Sequence, residues 1–203
     1  MKVAIIKYNA GNIRSVTFAL ERVGISPVVT DNADEIISAD KIIFPGVGEA
    51  NTAMNYLKER KLDEIIVSLK QPVLGICLGM QLMCESSEEG NTNCLGIFDQ
   101  QVKLFSSSPL ETTGVRLKVP QIGWNDIFDL KTNLFKNIDE QAYLYFVHGY
   151  YAELGKNTIA KTNYGIDYSS ALQKDNFYGV QFHPEKSGNV GQQILENFIT
   201  LNP

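Results

Sequence analysis

The stretch VLGICLGMQL, Val73 to Leu82, decides how this chain is read. Small and apolar residues run into Gly75-Ile76-Cys77-Leu78-Gly79, and an apolar helix follows. A strand, a tight turn and a helix with a nucleophile set between glycines form an elbow that holds the reactive atom at the head of a sheet. The glycines matter because a side chain would clash with neighbouring backbone in so tight a turn. The helix aims free N–H groups and its positive dipole end at the sulfur, which favours thiolate, the reactive form. The competing reading is an ordinary buried thiol, the usual state of a free cysteine. Cys84, expected within the same apolar helix, and Cys94, in a polar loop, keep that reading.

Upstream of the elbow the pattern alternates. KVAII (Lys2–Ile6) reads as a strand, and NIRSVTFALERVG as a helix with Val16, Leu20 and Val23 on one face and Gly24 as its stop. SPVVT and KIIFPGVG are further strands, ANTAMNYLKERKLDEIIVSLK is one helical stretch, and PVLGI is a fourth strand. Short apolar strands alternating with helices predict an α/β fold of the flavodoxin-like kind, a mostly parallel sheet with helices on both faces. Ligands in such sheets bind beyond the carboxyl ends of the strands, here YNAGN, PGVGE and CLG.

The second half is richer in strands: GIFDQQVKLF, IGWNDIFDL, AYLYFVHGYY, NTIAKTNYG, SSALQK and FYGVQF. SSEEGNTNC and SSSPLETTG read as polar loops, and Ser187 as the N-cap of a final helix burying Ile194, Leu195, Phe198 and Leu201. With no internal repeat and no long linker, residues 1–203 are expected to form a single domain.

Composition narrows the classes of function. Hydrophobic residues make up 44% of the 203 positions, enough for a sizeable core. A net charge of −5 argues against nucleic acid as a main partner, though not against one phosphorylated metabolite. No apolar run approaches the roughly 20 residues of a membrane span, and the N-terminus lacks the pattern of a signal peptide. Three scattered cysteines do not suggest a disulfide framework, so a reducing cytoplasm is the expected setting. With two histidines and no Cys-x-x-Cys, no metal site of the usual zinc kind is expected, and no cofactor is called for.

A cysteine nucleophile needs a base, and the base needs an orienting group. His183, in YGVQFHPEKSG, stands where a strand ends, and Pro184 biases it to an extended conformation. In extended chain, residues two apart point the same way, so Glu185 can lie beside the His183 ring. His148, in YFVHGYY, is second choice as base and is placed near the pocket. Leu78 N–H and the Gly46-Val47-Gly48 turn are candidate oxyanion donors, although PGVG alone could be merely a strand-ending turn.

Oxyanion strand, Cys77 and His183-x-Glu185 stand in an order that resembles the class I, triad-type glutamine amidotransferases. GICLGMQL and GVQFHPE look like that family's signature blocks. YNAGN, FPGVGEANTAM, IGWN, YFVHGYY and QFHPEKSG are similar, over essentially the whole chain, to the glutaminase subunits of imidazole glycerol phosphate synthases. The resemblance implies that Cys77 attacks the carboxamide of glutamine and that His183, oriented by Glu185, protonates the departing ammonia. It implies a glutamyl thioester, and delivery of ammonia to a separate (β/α)8-barrel cyclase in a heterodimer serving histidine biosynthesis. It also implies that Gln81 and His148-Gly149-Tyr150 line the glutamine pocket, and that Asn12, Gln121, Trp124, Asn125 and Lys186 belong to the partner interface. Gln121 stands where the family commonly has histidine, and Gly149 where it often has Ser or Thr. The alternatives are the same glutaminase serving a divergent cyclase-like partner in surface-sugar biosynthesis, a non-catalytic module, and a free-standing hydrolase. The intact triad argues against the second, and the lack of an acceptor site against the third.

Overall fold

The structure is a computed structural model that describes residues 1–8, 11–107, 114 and 116–201. Part of YNAGN and most of SSSPLETTG lie outside the described residues. The first half runs β1 (Val3–Ile6), α1 (Ile13–Arg22), β2 (Val28–Thr30), α2 (Ala33–Ile37), β3 (Lys41–Phe44), α3 (Ala50–Glu59), α4 (Leu62–Ser68), β4 (Val73–Ile76) and α5 (Leu78–Leu82). The short strands β5 (Ser86–Ser87), β6 (Thr92–Asn93) and β7 (Gln101–Leu104) follow. Then come β8 (Gln121–Ile127), β9 (Ala142–His148), β10 (Tyr150–Ala152), β11 (Thr158–Asn163), β12 (Asp167–Lys174), β13 (Phe177–Val180) and α6 (Gly188–Thr200).

The main sheet orders β2-β1-β3-β4-β13-β12-β10-β7-β5-β6, with β11 paired to β12. From β2 to β13 every neighbour is parallel, as the alternating pattern predicts, and the strand-rich second half extends the sheet with mostly antiparallel pairs. β8 and β9 pair separately as an antiparallel two-stranded sheet.

Alternation along β1 divides the core. Ala4 and Ile6 face the layer containing Ile36, Leu57, Ile66 and Leu82, whereas Val3 and Ile5 face Val16, Leu20, Ile194 and Phe198. Helices α2 to α5 therefore cover one face and α1 and α6 the other.

The predicted long helix between β3 and β4 is two helices. Leu57 and Leu62 are both buried, yet five residues of continuous helix would set them about 140° apart. The break at Lys61, whose φ is 55°, re-aims the second helix so that both reach the core. Helix α5 ends at Leu82, so Cys84 sits in the turn beyond it, buried and with its thiol pushed well up by burial. AYLYFVHGYY divides at Gly149 into β9 and β10, and SSEEGNTNC contains β5 and β6. Short α2 carries a cap signal that the hydrophobic pattern alone did not bring out: Asn32 Oδ1 accepts from Glu35 N–H at 3.1 Å. Ser187 does occupy the N-cap position of α6, but its hydroxyl makes no capping bond.

Close approach explains the glycines of the opening stretch. A Cβ on Gly79 would strike the Phe44 carbonyl at the end of β3, and one on Gly75 would meet Met83 and the Gly79 backbone. Gly79→Ala is therefore expected to lower stability by about 1–3 kcal/mol, the usual cost of overpacking. Urea unfolding should show an earlier midpoint at unchanged slope.

Candidate active site

The carboxyl ends of β1, β3, β4 and β13 share one edge of the sheet because these strands run parallel. Ile76 of β4 lies opposite Val180 of β13, so Cys77 and Gln181 leave the sheet side by side. The Cys77 N–H donates to the Val180 carbonyl at 2.8 Å. At φ 52° and ψ −110°, Cys77 occupies a region that residues with a Cβ rarely adopt. The turn tips its sulfur towards β9, 3.9 Å from the Val147 carbonyl oxygen.

His183 follows β13 with φ −101° and ψ 94°, extended as Pro184 requires. Its N–H donates to the Tyr145 carbonyl at 2.9 Å. The Ser187 hydroxyl donates to the His183 carbonyl at 2.7 Å and accepts from Tyr145 N–H at 2.9 Å. Ser187 thus pins the histidine loop to β9 instead of capping α6. Both ring and carboxylate are buried, with His183 Nδ1 2.8 Å from Glu185 Oε1. Asn12 Nδ2 donates to the same oxygen at 3.0 Å.

Burial pulls the His183 imidazole down, but the sulfur of Cys77 and the carboxylate of Glu185 outweigh it, and the ring is pushed up to about 10. Burial likewise pushes Glu185 up, and hydrogen bonds from His183 and Asn12 reverse this to hold it below the ordinary carboxylate value. Among the described residues His183 Nε2 meets no nitrogen or oxygen partner, so the nitrogen opposite Glu185 is left to face the Cys77 sulfur.

His148 is built differently. Its Nδ1 lies 2.7 Å from the Tyr150 carbonyl, which can only accept, so Nδ1 carries the proton. The Tyr168 hydroxyl lies 3.3 Å from Nε2 and donates to Gln121 Oε1 at 3.1 Å. Burial lowers His148 to about 4. A neutral ring whose proton is committed to the Tyr150 carbonyl is built as part of the pocket wall, unlike His183 beside its carboxylate.

A cavity of about 160 Å³ opens on the sulfur, lined by Val47, Gly48, Cys77, Leu78, Gln81, Glu89 and residues 147–150. Seven of the eight residues expected around the substrate line it. Gly46 does not: its carbonyl accepts from Leu78 N–H at 3.3 Å, so the N–H expected to receive an oxyanion is occupied by the chain's own backbone. A Cβ at Gly46 would lie 2.5 Å from Gly79 N, so glycine alone permits this approach. Gly149 has room for a side chain, its nearest neighbours being Val119 and Pro120 at 3.7 and 3.9 Å.

The interface expectations divide. Trp124 is 56% exposed and Lys186 is exposed, with its ammonium 5.8 Å over the Tyr145 ring, while Asn125 is half-buried and donates to the Asn163 carbonyl. Asn12 and Gln121, expected at the partner interface, are buried within the chain itself. Asn12 orients Glu185, and Gln121 bonds the tyrosine beside His148, because both side chains turn inward from their backbone positions.

Sequence reasoning overlooked Glu89 and Gln181. Glu89 lay in a stretch read as a polar loop; it accepts from Ala50 N–H at 2.8 Å and lines the cavity, with its carboxyl raised by burial. Gln181, although it sits inside the quoted GVQFHPE block, gave no chemical signal of its own.

The family model described as glutamine amidotransferase class-I matches residues 4–201. Imidazole glycerol phosphate synthase subunit HisH of Bacteroides fragilis is 56% identical over 201 residues, covering 99% of this chain and 100% of the relative. The subunit of the same name from Yersinia pseudotuberculosis is 46% identical over 203 residues, with the same coverage. Among solved structures, a glutamine amidotransferase superimposes with a TM-score of 0.73 at 16% identity, covering 98% of this chain and 97% of the other. PurLQS from Thermotoga maritima gives 0.66 at 15% identity, with the same coverage. These structural likenesses show the shared fold. With residues 4–201 matched, its parallel sheet and its cysteine elbow beside a His–Glu pair, the chain belongs to the class-I glutamine amidotransferase family.

Proposed function

We propose that this chain is the glutaminase subunit of an imidazole glycerol phosphate synthase, releasing ammonia from glutamine for a separate (β/α)8-barrel cyclase. The observation that carries the reading is Cys77, held at positive φ over the cavity, in electrostatic reach of a buried His183–Glu185 pair. The relatives named above support the choice of acceptor, and nothing favours the surface-sugar alternative. A single domain over residues 1–203 and a cytoplasmic setting belong to the same proposal. Among the described residues no helix is long and apolar enough to cross a membrane.

In the proposed chemistry His183 acts twice, first as acid and then as base. The Cys77 sulfur attacks the side-chain amide carbon of glutamine, and the carbonyl oxygen becomes an oxyanion. Imidazolium His183 donates its proton to the departing ammonia, leaving a glutamyl thioester. Neutral His183 then takes a proton from water, which attacks the thioester, releases glutamate and restores the thiolate. Gln81 and the backbone of residues 148–150 bound the substrate side chain, and the Glu89 carboxylate suits an α-ammonium group.

In this arrangement the oxyanion site is incomplete, because Gly46 C=O fills Leu78 N–H. Rotation of the Gly46–Val47 peptide would free that donor and turn Val47 N–H inward. A missing oxyanion donor costs about 10²–10³ in rate, so glutamine hydrolysis by the chain alone is expected to be slow. Adding the cyclase with its ribotide substrate should stimulate it by about that factor, and Cys77→Ala should abolish it in both settings. Full activity in the isolated chain would overturn the backbone rotation, and no stimulation would overturn the choice of partner.

The partner surface is proposed to be the outer face of the β8–β9 pair. Ile122, Trp124 and Tyr143 are exposed there on one side of the ladder, with Lys186 beside them. Trp124→Ala should weaken association with the cyclase by about 2 kcal/mol or more, in the range of buried aromatic anchors, without changing the melting temperature. Titration calorimetry checks this.

His183 owes part of its elevation to Glu185, so its charge contributes stability in full below its ordinary value of 6.5 and loses it as pH rises through about 10. Glu185→Gln removes a cause of the elevation. The alkaline limb of the pH–rate profile should then move to lower pH, and kcat should fall by roughly 10²-fold. An unmoved limb would remove His183 from the acid's role.

A further inference from the structure

We propose that Gln181 is a further catalytic residue, whose side-chain N–H holds the Cys77 sulfur as thiolate in a hydrogen-bond chain whose direction is set by the Tyr150 carbonyl. The inference rests on Cys77 being the nucleophile.

Gln181 Nε2 lies 3.6 Å from Cys77 Sγ, within ordinary reach of a sulfur acceptor, whose radius exceeds that of oxygen. The side chain is fully buried. Its backbone is fixed on both sides, by the Val180–Ile76 register and by the bond from Gln181 N–H to the Ser170 carbonyl at 2.9 Å. Gln181 Oε1 accepts from Gln81 Nε2 at 2.8 Å, and the same Gln81 nitrogen donates to the Tyr150 carbonyl at 2.9 Å.

The direction of this chain is set at its far end. A backbone carbonyl can only accept, so the Gln81 group facing Tyr150 must be its NH2. The second hydrogen of that NH2 goes to Gln181, which must answer with its oxygen. Gln181 is then left with its NH2 towards the sulfur. Reversing the Gln181 amide would oppose NH2 to NH2 at Gln81 and place an oxygen against the sulfur. The arrangement therefore presents a donor to Cys77, which favours the charged form of the thiol. It also ties the nucleophile to Gln81, whose remaining oxygen is left for the cavity that Gln81 lines.

Among the described residues, three titratable groups act on the sulfur from the surrounding elements: His183 after β13, Tyr8 after β1 and Tyr168 on β12. Both tyrosines are buried and pushed well above their ordinary value, so they stay neutral across the range of interest. His183 is common to every variant below.

The test is the pH dependence of Cys77 alkylation by iodoacetamide, followed by mass spectrometry of the Cys77 peptide, in the full chain alone and with the cyclase. Gln181→Met keeps length and approximate volume but removes the donor. Its alkylation midpoint should rise by about one pH unit or more, and hydrolysis near neutral pH should fall by roughly tenfold or more, as expected for a lost bond to a charged group. Gln81→Met keeps Gln181 but frees its amide to rotate, and should move the midpoint in the same direction by less. It supplies the reading should Gln181→Met fold poorly. Unmoved midpoints in folded variants would overturn the role of Gln181 and leave Cys77 as nucleophile. Glutamine hydrolysis surviving in Cys77→Ala would overturn the underlying reading instead.

Discussion

The pairing of β4 with β13 is the constraint on which the site depends. These strands are far apart in sequence, yet their parallel register sets Ile76 against Val180 and aligns the first residues beyond each. From one strand end comes Cys77, and from the other come Gln181 and His183. A one-residue slip would turn the side chains of β13 to the opposite face and carry both away from the sulfur. The pairing is held by burial on both faces of the sheet and by the Cys77 N–H, which extends the ladder one step into the turn.

The strained turn is supported by what lies beneath it. Gly79 allows the first turn of α5 to rest against the end of β3, and Gly46 allows the turn after β3 to approach α5. This closeness explains how one backbone carbonyl can occupy the Leu78 N–H in the resting arrangement. The same contact that packs the site keeps its oxyanion donor occupied. Tyr8 adds to this packing by donating its hydroxyl to the Pro45 carbonyl at 2.5 Å.

The histidine side of the site is tied to the exposed hairpin. β9 accepts from the His183 backbone at the Tyr145 carbonyl and donates the Tyr145 N–H to the Ser187 hydroxyl. The Tyr145 ring lies beneath Lys186 and meets Trp124 edge-on at 6.1 Å. A partner resting on Trp124 and Lys186 would therefore press on the residue that positions the base, a short physical connection between docking and chemistry.

Much of this was legible in the residues themselves. Period-two and helical spacing marked the main elements, and the turn chemistry of Gly-x-Cys-x-Gly marked the elbow, because local backbone sterics depend on neighbours in sequence. His183, Pro184 and Glu185 could be placed together for the same reason. Other features depend on contacts distant in sequence. The break at Lys61 follows from where the core lies relative to Leu57 and Leu62, with no Gly or Pro to announce it. Ser187 looked like a cap, but a strand some forty residues upstream recruits its hydroxyl. The bonds of Asn12 to Glu185 and of Tyr168 to Gln121 join residues far apart in sequence and carried no local signal. Gln181 carries no signal by itself, since an amide can face a sulfur with either end. Sequence alone determined the fold class and the candidate nucleophile, base and orienter, since each rests on local stereochemistry. Only the tertiary structure decided which amides, carbonyls and hydroxyls meet them, because hydrogen-bond direction and burial are set by the packing of strands that sequence keeps apart.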